Sequence, residues 1–368
     1  MKRYGNFFET IISMDNLKLA HKNARKGKGW YQEVKLVDSN PEHYLKEIQK
    51  MLKTHTFRTS DYEVFYKQEG DKNRKIYKLP YYPDRIVQWA IIQVIEPYLL
   101  KHFTTDTYSA IPRMGIHKAL KRLKTVMNTD VENCQYCLKF DVRHYYQSID
   151  HDILKQKYRE LFKDKDLIML LDEIIDSIDT ADSDDLKRLE ALPNERKGLP
   201  IGNYHSQYGG NYYLSAFDHW LKEVKGVKHY FRYMDDIVIF GSSKEALHKL
   251  RIEIFDYFKT NLKLTVKDNW QIFPTYDRGV DFVGYRVFMN YTLLRKSTYL
   301  NMRRKLIRIR QKCDSGNLMN YSEWCSINSY LGWLVHCNGQ NLFRKYFLPL
   351  KPYVEQYYKT VIKGVKLE

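Results

Sequence analysis

Two places in this sequence put carboxylates where a chain normally places apolar side chains. One is Lys139-Phe140-Asp141, at the end of a β-rich run. The other is Tyr233-Met234-Asp235-Asp236, set within Phe231–Phe240. Strong β-formers on both sides of Asp235 and Asp236 predict a hairpin whose turn carries both carboxylates. Adjacent like charges are costly there unless a cation neutralises them. Hard divalent ions with oxygen ligands meet that need, and Mg²⁺ keeps open positions for substrate phosphates. Two such ions can activate a 3′-hydroxyl and stabilise a leaving pyrophosphate. An Asp-Asp pair alone usually caps a turn or faces solvent. The four-residue run in a β-hairpin, about ninety residues after a strand-borne Asp, is a far more specific signal.

The elements that would position these groups follow from periodicity and punctuation. Asn16 to Leu52 reads as polar and helical, with the basic run His21–Trp30 as a loop. Tyr62–Tyr66 and Lys75–Leu79 alternate as strands do, Pro80 and Pro83 break the pattern, and Arg85–Leu100 continues as a long apolar helix. Lys118–Val126 is a basic amphipathic helix, Cys137–Asp141 a short strand, and His151–Leu161 and Ile168–Ile178 are helices. The acidic stretch Asp179–Asp185, with its neighbours up to Lys197, reads as a surface insertion. Ser206–Val224 has helical spacing; Tyr230–Arg232 and Ile237–Phe240 form the acidic hairpin. A helix Lys244–Asn261, a strand Leu262–Val266 and a second hairpin around Phe282–Phe288 follow, and Lys296–Glu368 is helical and basic. The class is α+β.

Composition narrows the partner. Of 368 residues, 61 are Lys or Arg against 44 Asp or Glu, giving a net charge of +17, which suits a polyanion through counterion release. The 31 tyrosines offer stacking faces and hydroxyls, although compositional bias accounts for them equally well. No segment is apolar for long enough to span a bilayer, and Met1–Asn16 lacks a signal-peptide pattern, so a cytoplasmic protein is expected. Five cysteines, an odd number, do not suggest a disulfide framework. Cys134 and Cys137 have CxxC spacing without a second metal-ligand pair.

Between about Lys72 and Asn338 the ordered motifs resemble a reverse transcriptase. The resemblance implies a right-hand polymerase: an N-terminal basic extension at 1–60, fingers at 61–135, palm at 136–290 with a fingers-like insertion at about 160–197, and a helical thumb at 291–368. It implies an RNA-directed DNA polymerase, a nucleotidyltransferase with Asp141, Asp235 and Asp236 holding two Mg²⁺, for which Mn²⁺ substitutes. The carbonyl of Val142 would share a metal. Lys75, beside Arg74, matches the triphosphate-contacting position of the fingers, where the family usually has arginine. Tyr146, five residues after Asp141, matches the steric gate against a ribose 2′-hydroxyl. Lys267 corresponds to the lysine near the leaving group. Tyr233 and Met234 lie at the primer end, and Phe282, Gly284 and Tyr285 resemble the primer-grip hairpin. Arg295, Lys296, Arg303, Arg304 and Arg308 open a basic thumb that would contact the template duplex.

Gly198–Gln207 resembles the palm motif that packs on the nascent base pair, with departures. Ile201-Gly202 and Ser206-Gln207 stand where most of the family has Gln-Gly and Ser-Pro, and this is the pattern of diversity-generating retroelements. The resemblance then implies error-prone cDNA synthesis, especially at template adenines, from a template-repeat RNA for mutagenic retrohoming in a bacterial host. It also implies an RNA–DNA duplex, dNTPs and a small basic accessory protein as partners. An antiviral-defence or retron reverse transcriptase is the alternative, and an inactive, maturase-like RNA-binding scaffold a third reading.

Overall fold

The computed structural model describes residues 3–69, 72–178 and 196–362. They divide into two compact units, one drawn from residues 1–113, 140–227 and 249–270, the other from 114–139, 228–248 and 271–368. Most of the expected insertion, residues 179–195, lies outside the described residues.

In the first unit an apolar helix decides where the core lies. Ile86–Leu100 buries Ile86, Val87, Ala90, Ile91, Ile92, Ile95 and Leu99, which leaves no broad polar stripe. A helix apolar all round has to be covered all round, and Phe8–Ile12, Met14–Ala24 and Tyr204–His219 cover it. Two helix starts in this unit rest on one carboxylate. Asp164 accepts from the Leu167 amide at 3.2 Å, capping the helix Lys165–Asp176, and from the Phe7 and Phe8 amides at 2.7 and 3.1 Å. Otherwise unpaired amides of two helix starts thus share one acceptor. Two antiparallel strands, β1 (Glu63–Glu69) and β2 (Lys72–Lys78), pair from Glu63↔Lys78 to Glu69↔Lys72.

The second unit holds a four-stranded sheet in the order β4-β5-β3-β6. Its members are β3 (Tyr136–Asp141), β4 (Tyr230–Tyr233), β5 (Asp236–Gly241) and β6 (Gln271–Pro274). Strand β3 leaves this unit after Lys139, and its last two residues belong to the first. Helix Ile116–Thr129 turns Ala119, Leu120, Leu123, Val126 and Met127 inward, as its amphipathic spacing predicts. The expected second hairpin is present as β7 (Val280–Phe282) and β8 (Tyr285–Val287), and a third strand, β9 (Thr292–Leu294), extends it. The expected strand Leu262–Val266 is not formed: Leu262 ends a helix and Val266 makes a single bridge to Val142. Lys263 has φ 48, which turns the backbone out of an extended path.

The loop of the second hairpin is Val283-Gly284, with φ 42 and 87, the positive values that a tight two-residue turn demands. Here glycine is needed for space as well, because a Cβ on Gly284 would lie 2.4 Å from the Trp333 ring. Gly284→Ala should therefore cost about 2–4 kcal/mol, combining overpacking with backbone strain. Gly226→Ala, at φ 63 with no atom within 4 Å, should cost only about 1 kcal/mol. Denaturant titration of the two variants checks this; equal losses would remove the Trp333 contact as the cause.

Candidate active site

The β4–β5 hairpin closes through the pair Tyr233↔Asp236, so its loop is the two residues Met234 and Asp235. The sequence places both aspartates in the turn; the structure places Asp235 there and makes Asp236 the first residue of β5. Met234 has φ 56, a value that glycine usually supplies in such loops. A neighbour two residues back holds it: Arg232 is fully buried and its Nη1 donates to the Met234 carbonyl at 3.3 Å. Asp236 in turn lies against Lys139 of β3, with Oδ1 and Nζ 3.0 Å apart and both side chains about a quarter exposed.

The other unit presents Asp141. Its carbonyl accepts from the Lys267 amide at 2.9 Å, and its Oδ2 accepts from the Lys267 ammonium at 3.0 Å. Val142, fully buried, bridges to Val266; the Arg143 amide bonds the Thr265 carbonyl at 2.8 Å, and the Arg143 guanidinium bonds Asp268 at 2.6 Å. Backbone and side chain together pin Lys267 to Asp141. Tyr146 packs on the helix Tyr204–His219: a Cβ on Gly210 would sit 3.3 Å from its ring. The same helix accepts a hydrogen bond from the Tyr145 hydroxyl at the Gly210 carbonyl.

The segment before that helix is tied to the β1–β2 hairpin. The Ile201 carbonyl accepts from the Tyr77 amide at 3.1 Å. Gly202 has φ 118, and a Cβ there would meet the Tyr77 carbonyl at 3.1 Å, so both conformation and space select glycine. Gln88 Oε1 accepts from the Tyr204 and His205 amides at 3.0 and 3.3 Å, satisfying the helix start from a neighbouring helix. Trp89 stacks on Tyr204 with ring centres 4.0 Å apart. A cavity of about 170 Å³ opens here, lined among others by Lys28, Arg85, Trp89, Gly202, Tyr204 and Gln207. Burial, and then the nearby Arg85 charge, lower the pKa of the Lys28 ammonium.

Oxygen donors dominate both acidic loci, a donor set suited to a hard divalent ion. Among the described residues, no three His, Cys, Asp or Glu side chains are gathered as a ready-made metal site. Asp141 and Asp236 are each matched by a lysine instead. The thiols of Cys134 and Cys137 are buried, and burial pushes Cys134 up to about 12.

A family model described as "Reverse transcriptase (RNA-dependent DNA polymerase)" matches residues 66–287, more than half of the chain. The chain belongs to the reverse transcriptase family. A curated relative, protein YkfC of Escherichia coli (strain K12), is 24% identical over 258 residues, covering 61% of this chain and 65% of YkfC. The chain thus spans just under two thirds of that relative. Among solved structures, a Candida albicans telomerase in complex with a TWJ fragment of telomeric RNA is similar at 12% identity and a TM-score of 0.48. That match covers 86% of this chain and 64% of the telomerase. An apo telomerase from Candida tropicalis gives 12% identity and a TM-score of 0.49, with 84% and 60% covered. The α+β class agrees with a right-hand polymerase fold.

Within this reverse transcriptase, the structure brings several expected residues together. Lys267 meets Asp141, Gly202 and Gln207 share a cavity, and the Arg295 amide bonds the Gly284 carbonyl at 2.9 Å. Lys75 sits on β2 opposite Tyr66, its ammonium 5.2 Å from the Tyr77 ring, and Arg74 lies opposite Lys67. Phe282 pairs with Tyr285, whose hydroxyl donates to the Trp333 carbonyl at 3.1 Å. Arg303, Arg304 and Arg308 line an open groove of about 500 Å³ on the helix Lys296–Asp314, which Lys296 begins. Sequence reasoning missed Lys139, Arg232 and Lys28 as parts of these arrangements. A signal existed for the first two: each is a long cation flanked by apolar or aromatic residues within a strand.

His205, wholly buried beside the Tyr158 hydroxyl at 3.1 Å, has its pKa lowered to about 4 by burial. Since the unfolded imidazole takes a proton near 6.5, the folded form is favoured above that pH and loses stability as pH falls toward 4. The loss from this one group should approach about 3 kcal/mol. Denaturation of the wild type and His205→Gln between pH 7 and 4 checks it: the variant should show the shallower decline, and parallel curves would refute the assignment.

Proposed function

We propose that this chain is an RNA-directed DNA polymerase in which Asp141, Asp235 and Asp236 form the catalytic centre. The observation that carries the reading is the tight acidic turn, in which Arg232 and Met234 fix Asp235 and present Asp236 at the head of β5. In the sheet β5 neighbours β3, the strand that ends in Asp141. The three carboxylates, with the Val142 carbonyl, would hold two Mg²⁺ ions, which when bound would lower the pKa of the primer hydroxyl and neutralise the departing pyrophosphate. The 3′-oxygen bonds to the α-phosphorus of the nucleotide as the bond to pyrophosphate breaks, and the hydroxyl proton leaves to solvent. Lys267, held on Asp141, would meet the phosphates. Tyr146, backed by Gly210, would bar a ribose 2′-hydroxyl. Arg74 and Lys75 would take the triphosphate, Tyr233, Met234 and the Phe282–Tyr285 hairpin the primer, and the cationic helix from Lys296 the duplex backbone. On this reading the fingers, palm and thumb would take the ranges set out above.

The finer reading is an error-prone copier of a diversity-generating retroelement, acting with a template-repeat RNA and a small basic accessory protein in a bacterial cytoplasm. Its support is Ile201, an apolar side chain next to the tightly held Gly202, and Gln207 in the adjoining cavity. Without a side-chain amide at 201, one polar check on the incoming nucleotide is absent.

Primer extension on an RNA template tests the activity. Wild type should extend with dNTPs and Mg²⁺, and Asp235→Ala or Asp236→Ala should lower the rate at least about a hundredfold. Equal rates, or no extension by wild type, would reject the polymerase. Tyr146→Ala should raise ribonucleotide incorporation at least about tenfold, measured as the ratio of kcat/KM values. Sequencing cDNA copied from a mixed template should show errors concentrated at adenines; uniformly low error would reject the retroelement role and leave the polymerase standing.

A further inference from the structure

Lys139 has two partners that nothing in the polymerase reading requires. Its ammonium lies 3.0 Å from Asp236 Oδ1, and it also donates to the backbone carbonyl of Asp281 on β7. The Asp281 carboxylate is flanked by Arg295 Nε at 3.5 Å and an Arg286 terminal nitrogen at 3.7 Å. One amine thus links the first residue of β5 to β7, and on β7 the Asp281 carboxylate faces Arg295, the residue before the helix Lys296–Asp314, as an ion pair. A surface pair would wander, but the Lys139 side chain is only about one fifth exposed, and its ammonium is fixed by a hydrogen bond to the Asp281 carbonyl.

We infer that Lys139 is a positioning residue that holds Asp236 in place of a metal cation and keeps that carboxylate in register with the β7–β8 hairpin. The inference rests on the polymerase reading for its consequence in turnover. Its physical core is independent: a fixed ammonium at 3.0 Å competes with any divalent ion for the same oxygen, and its charge opposes the ion's approach. When a cation takes Asp236, the carbonyl of Asp281 retains the amine, so the lysine remains beside the site. Lys139 therefore weakens metal binding while improving the geometry of the carboxylate that binds it. A residue that only stabilises the sheet would move both quantities the same way, through loss of folded protein.

Mn²⁺ binding to the full chain, followed by water-proton relaxation without nucleic acid, gives a readout separate from turnover. Asp236→Asn should abolish the tighter Mn²⁺ site and so identify it. Lys139→Met should bind Mn²⁺ roughly three- to tenfold more tightly than wild type. In primer extension it should lose at least about tenfold in kcat with little change in KM for dNTP. Lys139→Arg keeps the charge but not the compact ammonium between a carboxylate and a carbonyl. It should hold Mn²⁺ affinity within about twofold while kcat still falls. Unchanged or weaker Mn²⁺ binding by Lys139→Met, or wild-type kcat in it, overturns the inference. If the methionine variant does not fold, Lys139→Arg decides: wild-type kcat overturns the inference, and reduced kcat with Mn²⁺ affinity held supports it. A wild type that shows no Asp236-dependent Mn²⁺ site also overturns it. A wild type that binds Mn²⁺ through Asp236 yet extends no primer rejects the polymerase reading instead, and the relaxation titration alone then judges Lys139.

Discussion

Negative charge concentrated at strand ends is the constraint on which the rest of this molecule depends. Asp141, Asp235 and Asp236 stand where β-strands begin, end or turn. Left alone, such carboxylates would favour a different register or a solvated loop. The chain answers with cations placed by the same backbone that places the acids. Lys267 is held on Asp141 by an amide as well as an ammonium, and Lys139 reaches Asp236 from the neighbouring strand. Arg232, buried to completion, fixes the turn through the Met234 carbonyl. A buried guanidinium is costly in isolation, so its retention beneath the acidic turn fits a role in holding shape.

The acidic hairpin was legible because β-formers flank it on both sides, and the apolar helix after Pro83 because its composition leaves no other reading. The register inside the hairpin was not legible. Which two residues form the loop depends on Met234 accepting a positive φ, and methionine gives no notice of that. The strand expected over Leu262–Val266 failed for a similar reason: Lys263 turns left-handed, and its ammonium reaches Asp150 at 2.9 Å, more than a hundred residues earlier. Strand β9 is three residues long, too short for alternation to distinguish it from the start of the helix that follows. In the site, Gly202 was readable as a motif, but its partner Tyr77 and the cavity shared by Gln207, Arg85 and Lys28 join segments far apart in sequence.

These long-range ties also explain why the β1–β2 hairpin matters to the helix Tyr204–His219. Tyr77 meets the chain at both Ile201 and Gly202, and Gln88 caps the helix that begins two residues later. Tyr145 and Tyr146 pack on that helix at Gly210. Strand β2, Tyr146 and the start of the helix Tyr204–His219 are therefore parts of one packed arrangement. A disturbance at Tyr77 would reach the cavity without any change in the residues that line it.

Asp164 imposes an order on the making of the protein. The amides of Phe7 and Phe8 leave the ribosome ahead of the carboxylate they donate to, which lies more than 150 residues further on. At bacterial or eukaryotic elongation rates that interval is roughly 8–30 s. For that time the first helix has neither its acceptor nor the helix Lys165–Asp176 that the same carboxylate caps. The segment around Phe7, though made before its partner, settles only once that partner has been made, and it has to stay soluble while it waits.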